Sequence, residues 1–326
     1  MKKLYNIDIS VILPVFNEAE NLENCQKTLE KPLKSICSSY EIMYVNDGST
    51  DDSLDIIKQF AKNNLSVKYI DLSRNFGQQA AISAGLEHCK GNRIVIMDAD
   101  LQDPPELIAE MNRKIDEGFD VVYGKRKSRK GESFLKKFTA RLFYRLLAKM
   151  TNVKIPMDTG DFRMISRKVA DILKKMPERD RFIRGQVAWL GFKQTHVTYK
   201  RQGRKKGRSA WSYKRMIRFA IDGITSFSDF PLRFATFLGI IISFVSFILI
   251  LWALYQRFIA HSYVQGWTSL ILSVLFLGGV QLLSIGIIGE YISRIGANVR
   301  RRPRYVINEK NTETENETLD EKPSDE

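Results

Sequence analysis

From Asp8 to Gly124 the chain alternates between two spacings of apolar residues. Short runs read as strands: "DISVILPV" (8–15), "YEIMYVND" (40–47), "VKYIDL" (67–72), "RIVIMDAD" (93–100) and "FDVVYG" (119–124). Between them lie stretches with helical spacing over 18–33, 53–62, 78–89 and 105–117. Strand and helix in strict alternation predict βαβ units and a mostly parallel, doubly wound α/β sheet. Such sheets bind ligands beyond the carboxyl ends of their strands. Polar clusters sit at those ends here: "PVFNE" (14–18), "NDGSTD" (46–51) and "DADLQD" (98–103) each follow an apolar strand.

The pattern changes past residue 230. Residues 234–256 and 264–289 carry no Asp, Glu, Lys or Arg. Each is long enough, at about 1.5 Å per residue, to cross a hydrocarbon core of about 30 Å. They predict two C-terminal transmembrane helices, over 232–256 and 264–289. Arg215, Arg218 and Arg233 precede the pair and Arg294, Arg300, Arg301, Arg302 and Arg304 follow it, whereas the linker holds Arg257 alone. This asymmetry puts both termini and the α/β domain in the cytoplasm of a multi-pass protein of the cell membrane. The remaining expected divisions are a cytoplasmic domain over 1–211, a juxtamembrane amphipathic helix over 212–231, a basic segment over 290–307 and an acidic, disordered tail over 308–326. Within the first domain, 134–150 ("FLKKFTARLFYRLLAKM") has a helical apolar stripe set among basic residues. That pattern fits a helix on a membrane surface and a core-facing helix equally; the spans favour the membrane.

Composition narrows the class. In 326 residues, 44% are hydrophobic, enough for a sizeable core, and the formal net charge is +14. The arginines cluster beside the apolar stretches, which suits anionic lipid rather than nucleic acid. Cys25, Cys37 and Cys89 share no metal spacing and fit a reducing compartment. The start of the chain has no signal-peptide pattern. Nothing in the sequence decides for or against a homo-oligomer.

Against that basic background, the acids of "IVIMDADLQDPPE" (94–106) need a reason. Asp98 and Asp100 are two residues apart and so point the same way in an extended segment. Converging carboxylates are costly without a cation between them, and hard divalent ions prefer oxygen ligands. Gln102 adds an amide oxygen. A solvated acidic turn is the plain alternative. Asp47 could accept from a base N–H, and Gly48 permits a tight turn. "YGKRKSRKGE" gathers Lys125, Arg126, Lys127 and Arg129 after the fifth strand, and Arg141 lies on the 134–150 segment.

"ILPVFNE", "VNDGSTDDS", "LSRNFGQQAAISAGL" and "DADLQDPPE", in that order, resemble the family 2 glycosyltransferases. They are most similar to the branch that moves one sugar onto a polyisoprenyl phosphate, the dolichol-phosphate mannose synthases and undecaprenyl-phosphate glucosyltransferases. The resemblance runs over residues 7–305. It implies a glycosyltransferase-A fold whose nucleotide pocket is lined by Pro14, Phe16, Asn17, Glu18, Asp47 and Asp98. It implies Mg²⁺ or Mn²⁺ held by Asp98, Asp100 and Gln102, and an acceptor phosphate held by Arg126 and Arg141. In "PMDTGDFRMISR" it makes Asp161 the candidate catalytic acid and Asp158 the runner-up. A structural pairing of Asp161 with Arg163 is the alternative. A loop around "RQGRKKGRSAWSYKRM" is expected to close over the nucleotide through Arg208 and Ser209. Ala210 stands where relatives carry lysine. The implied reaction is inverting transfer of one sugar from a nucleotide-sugar donor, UDP-glucose or another UDP-hexose, to undecaprenyl phosphate. A processive polysaccharide synthase and a non-catalytic nucleotide-binding scaffold are the competing readings. "GQVAWLG" lacks the arginine of the former's acceptor motif, and the intact acids argue against the latter.

Overall fold

A computed structural model describes residues 7–127, 159–178, 181–199, 230–258, 266–300 and 302–312. The chain divides into two compact units. The first is built on an eight-stranded sheet in the order β7-β5-β6-β4-β1-β2-β3-β8. Its strands are β1 (Ile7–Val15), β2 (Tyr40–Asn46), β3 (Val67–Leu72), β4 (Gly91–Ile96), β5 (Val121–Arg126), β6 (Thr159–Ser166), β7 (Gln194–Tyr199) and β8 (Ile307–Lys310). Helices α1 (Ala19–Ile36), α2 (Ser53–Asn63), α3 (Gln78–His88) and α4 (Leu107–Asp116) fill the expected crossovers. Two short helices, α5 (Arg167–Lys175) and α6 (Ile183–Trp189), follow β6.

Near-continuous apolar runs make the central strands because both faces of the sheet are covered. Leu13, Tyr44, Tyr69 and Val95 face one layer, where α1, α2 and α4 contribute Leu22, Leu29, Ile57 and Met111. Ile12, Met43, Ile70 and Ile96 face the other, against Ala81 and Ile82 of α3, Val169 and Leu173 of α5, and Val187 of α6. The period of two along each strand thus splits the core into two layers.

The mostly parallel expectation needs a correction at two strands. β1 runs parallel to β2 and β4, β2 to β3, and β5 to β7. β6 is antiparallel to both β4 and β5 and lies between them, and β8 is antiparallel to β3 at the sheet's edge. A reversed strand delivers its first residues, not its last, to the edge where the parallel strands end. β6 and β8 therefore bring "TGD" and "INE" to the edge where the parallel strands end. The second correction concerns the tail expected to be disordered from 308. Residues 307–310 form β8, because Ile307 packs on the core, Asn308 and Glu309 bond side chains of the sheet unit and Asn311 bonds the Tyr69 backbone.

The second unit holds two long helices, α7 (Phe230–Phe258) and α8 (Trp267–Val299), packed on each other. Large apolar side chains such as Phe237, Phe244, Trp252, Phe276, Leu282 and Ile292 are exposed along them. Among the described residues one stretch, Phe276–Ser293 in α8, is long and apolar enough to cross a membrane, and none of it is buried. The expected helix over 134–150 and nearly all of the one over 212–231 lie outside the described residues.

Candidate active site

At the end of β1 the chain turns through Asn17, whose φ of 53° is in the left-handed region. Asparagine tolerates that conformation better than most residues. The turn is laced to the loop after β2. The Asn17 N–H donates to Ser49 Oγ at 3.0 Å, the Glu18 N–H to Ser53 Oγ at 3.0 Å and the Ala19 N–H to Asp51 Oδ2 at 3.1 Å. In return, the Thr50 N–H donates to Asn17 Oδ1 at 2.8 Å. Pro14, Phe16, Asn17 and Glu18 thus share one wall with 46–53, and the Phe16 ring is 46% exposed beside it.

Asp47 is buried, and its two oxygens accept the N–H groups of Phe76 and Gly77 at 2.7 and 2.9 Å. Burial raises its carboxyl above the usual range, and those two backbone donors oppose the rise. Its observed task is to hold the 74–77 loop. Gly48, with φ of 65°, lies so close beneath that loop that a Cβ would sit 2.5 Å from the Arg74 carbonyl carbon. That approach requires glycine.

The acids gather at the end of β4. Asp98 accepts from the Gln78 side-chain amide at 2.7 Å. Asp100 accepts the Gln102 N–H at 3.1 Å, and Leu101 between them has a φ of 55°. This sharp turn folds the two aspartates and the buried Gln102 into one short loop. Burial, then the charges of Asp161, Asp103 and Asp100, push the Asp98 carboxyl up to about 7, with Arg126 opposing. A site that strains an acid toward neutrality with neighbouring acids suits a cation. Among the described residues no group of three or more His, Cys, Asp or Glu side chains could hold a metal by itself. Mg²⁺ and Mn²⁺ sites on phosphate substrates need no such cage, because substrate and water complete the shell. The donor set of Asp98, Asp100 and Gln102 fits that kind of ion.

Asp161 reaches the same edge because β6 is reversed. Ile96 pairs with Arg163, so extending the register two residues sets Asp161 opposite Asp98. Its carboxylate forms an ion pair with Arg184 Nε at 3.0 Å, and its other oxygen accepts from the Gln79 amide at 3.5 Å. The Gln79 carbonyl in turn accepts the Ile183 N–H at 3.1 Å, and Arg184 donates to the Thr159 carbonyl at 2.9 Å. The expected alternative, Asp161 paired with Arg163, takes a different form. Arg163 is buried and donates to the backbone carbonyls of Asp161 and Gly160 at 3.2 and 3.1 Å. Burial pulls its guanidinium down to about 10, with Asp161 opposing and Arg184 adding to the fall.

Arg126 closes β5. Its Nε donates to the Tyr199 hydroxyl at 3.3 Å and its terminal nitrogen lies 3.8 Å from Asp103 Oδ1. The Tyr199 hydroxyl also donates to Asp103. The guanidinium rests on Gly160, where a Cβ would come within 2.4 Å of Nη2. Hydrogen bonding to Tyr199 and the charge of Asp103 raise the Arg126 guanidinium, although burial works the other way and is the largest influence.

The structure therefore brings Asp98, Asp100, Gln102, Asp161 and Arg126 to one edge, with Asp47 and residues 14–18 beside them. Arg141, Asp158, Arg208 and Ser209 lie outside the described residues. Sequence reasoning assigned no role to Arg184, Gln78, Gln79 or Tyr199. The glutamines stood inside a quoted motif, but Arg184 and Tyr199 are ordinary helix and strand residues in sequence.

The glycosyl transferase family 2 profile matches residues 10–173. An uncharacterized glycosyltransferase of Synechocystis sp. is 44% identical over 303 residues, 93% of this chain and 95% of that one. A bactoprenol glucosyl transferase of Shigella phage SfV is 40% identical over 303 residues, 93% of this chain and 99% of that one. Among solved structures, a mannosyltransferase of Pyrobaculum calidifontis in complex with GDP-Man and Mn²⁺ is 18% identical, with a TM-score of 0.49 over 69% of this chain and 67% of that one.

Proposed function

Because this chain belongs to glycosyl transferase family 2, in its polyisoprenyl-phosphate branch, we propose that it transfers a single sugar from a UDP-hexose, glucose first, to undecaprenyl phosphate. The observation that carries the reading is the convergence of an acid pair and a third acid from opposite strand directions. Asp98 and Asp100 leave β4 as Asp161 enters β6, and Arg126 stands over Gly160 beside them.

In this reading residues 14–18 and 46–53 bind the nucleotide, with the Phe16 ring stacking on the base. Asp98, Asp100 and Gln102 would hold Mg²⁺ or Mn²⁺, which supplies positive charge to the departing diphosphate. Arg126, with Arg141, holds the lipid phosphate. A phosphate oxygen attacks the anomeric carbon from the face opposite the diphosphate; the new C–O bond forms as the bond to the nucleoside diphosphate breaks, inverting the centre. The attacking phosphate is already anionic, so Asp161 has little proton to remove. Ion-paired with Arg184 and accepting from Gln79, it orients the acceptor and stabilises positive charge developing on the sugar ring. Arg208 and Ser209 close over the donor.

The charge-free stretches and their arginine flanks support a two-span anchor in the cell membrane with the sheet unit on the cytoplasmic side. A donor screen with the purified protein in detergent, undecaprenyl phosphate and Mn²⁺ or Mg²⁺ tests the reading. One UDP-hexose should give a lipid-linked monosaccharide. Absence of lipid product with every nucleotide sugar, or growth of the product beyond one sugar, would sink it.

A further inference from the structure

Asp71, at the end of β3, is a buried acid that the proposed chemistry does not use. One of its oxygens accepts from the Asn46 side-chain amide at 2.7 Å, and the other from the Asn308 amide at 2.8 Å. Asn46 ends β2, and its own oxygen accepts the Ser49 N–H at 3.3 Å. Ser49 receives the Asn17 N–H, and Asn17 receives that of Thr50. Hydrogen bonds thus run without a break from the start of β8 to both loops of the donor wall. A side-chain amide suits both ends of the Asp71 clip, because each carboxylate oxygen needs a donor and neither needs a second charge.

Asn308 is also held in place on both sides. Before it, the Tyr305 hydroxyl donates to Glu87, Arg304 donates to the Met176 carbonyl, and the Val306 carbonyl accepts the Ser73 N–H at 2.9 Å. After it, Glu309 accepts from Lys58 and the Tyr69 hydroxyl, and Asn311 exchanges two bonds with the Tyr69 backbone. A residue at a frayed terminus could not fix anything; this one sits mid-strap.

We propose that Asn308 is a positioning residue for the donor-binding loops, acting through Asp71 and Asn46. The segment that follows α8 is then part of the support of the active site rather than a tail. The inference rests on reading 14–18 and 46–53 as the donor wall.

The test compares three full-length variants by amide hydrogen exchange and by donor kinetics with UDP-glucose and undecaprenyl phosphate. Asn308→Ala removes one amide donor from Asp71. Asn308→Asp sets a second carboxylate against it. Glu309→Ala loosens the same strap without removing a side-chain hydrogen bond to Asp71. Asn308→Ala should raise exchange at Ser49 and Thr50 about tenfold and donor KM about five- to tenfold, with kcat within about twofold, and Asn308→Asp should do more. Glu309→Ala should change donor KM by less than about twofold. Unchanged exchange at Ser49 and Thr50 in Asn308→Ala, or equal effects of Glu309→Ala, would overturn the inference. If the unmodified protein uses no UDP-hexose at all, the donor assignment fails, and the exchange comparison still decides the role of Asn308.

Discussion

Asp98 and Asp161 face each other across adjacent strands, yet they are held in opposite ways. Asp161 has a cation built in, Arg184, at 3.0 Å, and Gln79 on its other oxygen. Asp98 receives a neutral amide from Gln78 and is crowded by three acids, with Arg126 as the opposing charge. One carboxylate is ion-paired by the fold; the other lies among acids that outnumber the opposing Arg126. The division matches the two halves of the proposed reaction. In that proposal the side without a built-in counter-charge would hold the metal and meet the departing diphosphate, and the side paired with Arg184 would meet the acceptor.

The largest expected effect lies on the unbalanced side. Asp100→Ala should reduce transfer about 10³-fold, and the residual rate should no longer respond to chelator, because the donor set for the metal is broken. Chelation of the unmodified protein should give a similar loss, reversed by adding Mn²⁺ or Mg²⁺. An Asp100→Ala protein with normal, metal-responsive turnover would show that the two acids are not divided as described.

On the balanced side, Asp161→Asn keeps the shape and one of the two acceptor oxygens but removes the charge. Turnover should fall about 10²-fold, the low end for acid–base groups, because the acceptor phosphate is already ionised. Donor affinity should stay within about twofold. Arg184→Gln should lower turnover in the same direction by about tenfold, with Arg184→Lys recovering part of it. If Arg184→Gln left turnover intact while Asp161→Asn abolished it, the built-in counter-charge would be irrelevant to the chemistry.

Arg126→Ala should act on the acceptor, raising KM for undecaprenyl phosphate by about tenfold with a smaller change for the donor, as expected on losing a charge-assisted phosphate contact. An equal or greater loss of donor affinity would move Arg126 to the diphosphate side. Comparing the two affinities by titration checks this directly.

How much of this could be read from the chain depends on sequence distance. β1 to β5 and α1 to α4 were legible because each βαβ crossover is local and each period is clear. The acids of "DADLQD" were legible because charge at the end of an apolar strand has few structural uses. β6 and β8 were not. Their partners, β4, β5 and β3, lie far back in the chain, and no local period says that "TGDFRMIS" reverses between two parallel strands or that "INEK" closes an edge. Everything that depends on those reversals was hidden with them: Asp161 opposite Asp98, Arg126 over Gly160, and Asn308 on Asp71. Arg184 was hidden for another reason. On a short helix of mixed residues, nothing local separates an arginine that balances a buried acid from one on a solvated face.

The smallest effect tests the contact by which β6 and β5 share the site. Gly160 has an ordinary backbone conformation, so alanine there brings no backbone strain. Its Cβ would instead meet Arg126 Nη2 at 2.4 Å. That atom is the far end of a flexible side chain, so the guanidinium can swing aside at little cost to the fold. In moving it would loosen its bonds to Tyr199 and Asp103, which aim it at the edge. Gly160→Ala should therefore leave the melting temperature within about 2 °C, in line with a small change in stability. It should raise KM for undecaprenyl phosphate about two- to fivefold and leave donor KM alone. A large fall in melting temperature would mean that the crowding cannot be relieved and that the contact serves packing. An unchanged acceptor KM would mean that the orientation of Arg126 does not matter to the lipid phosphate, and the acceptor half of the comparison would then rest on Asp161 and Arg184 alone.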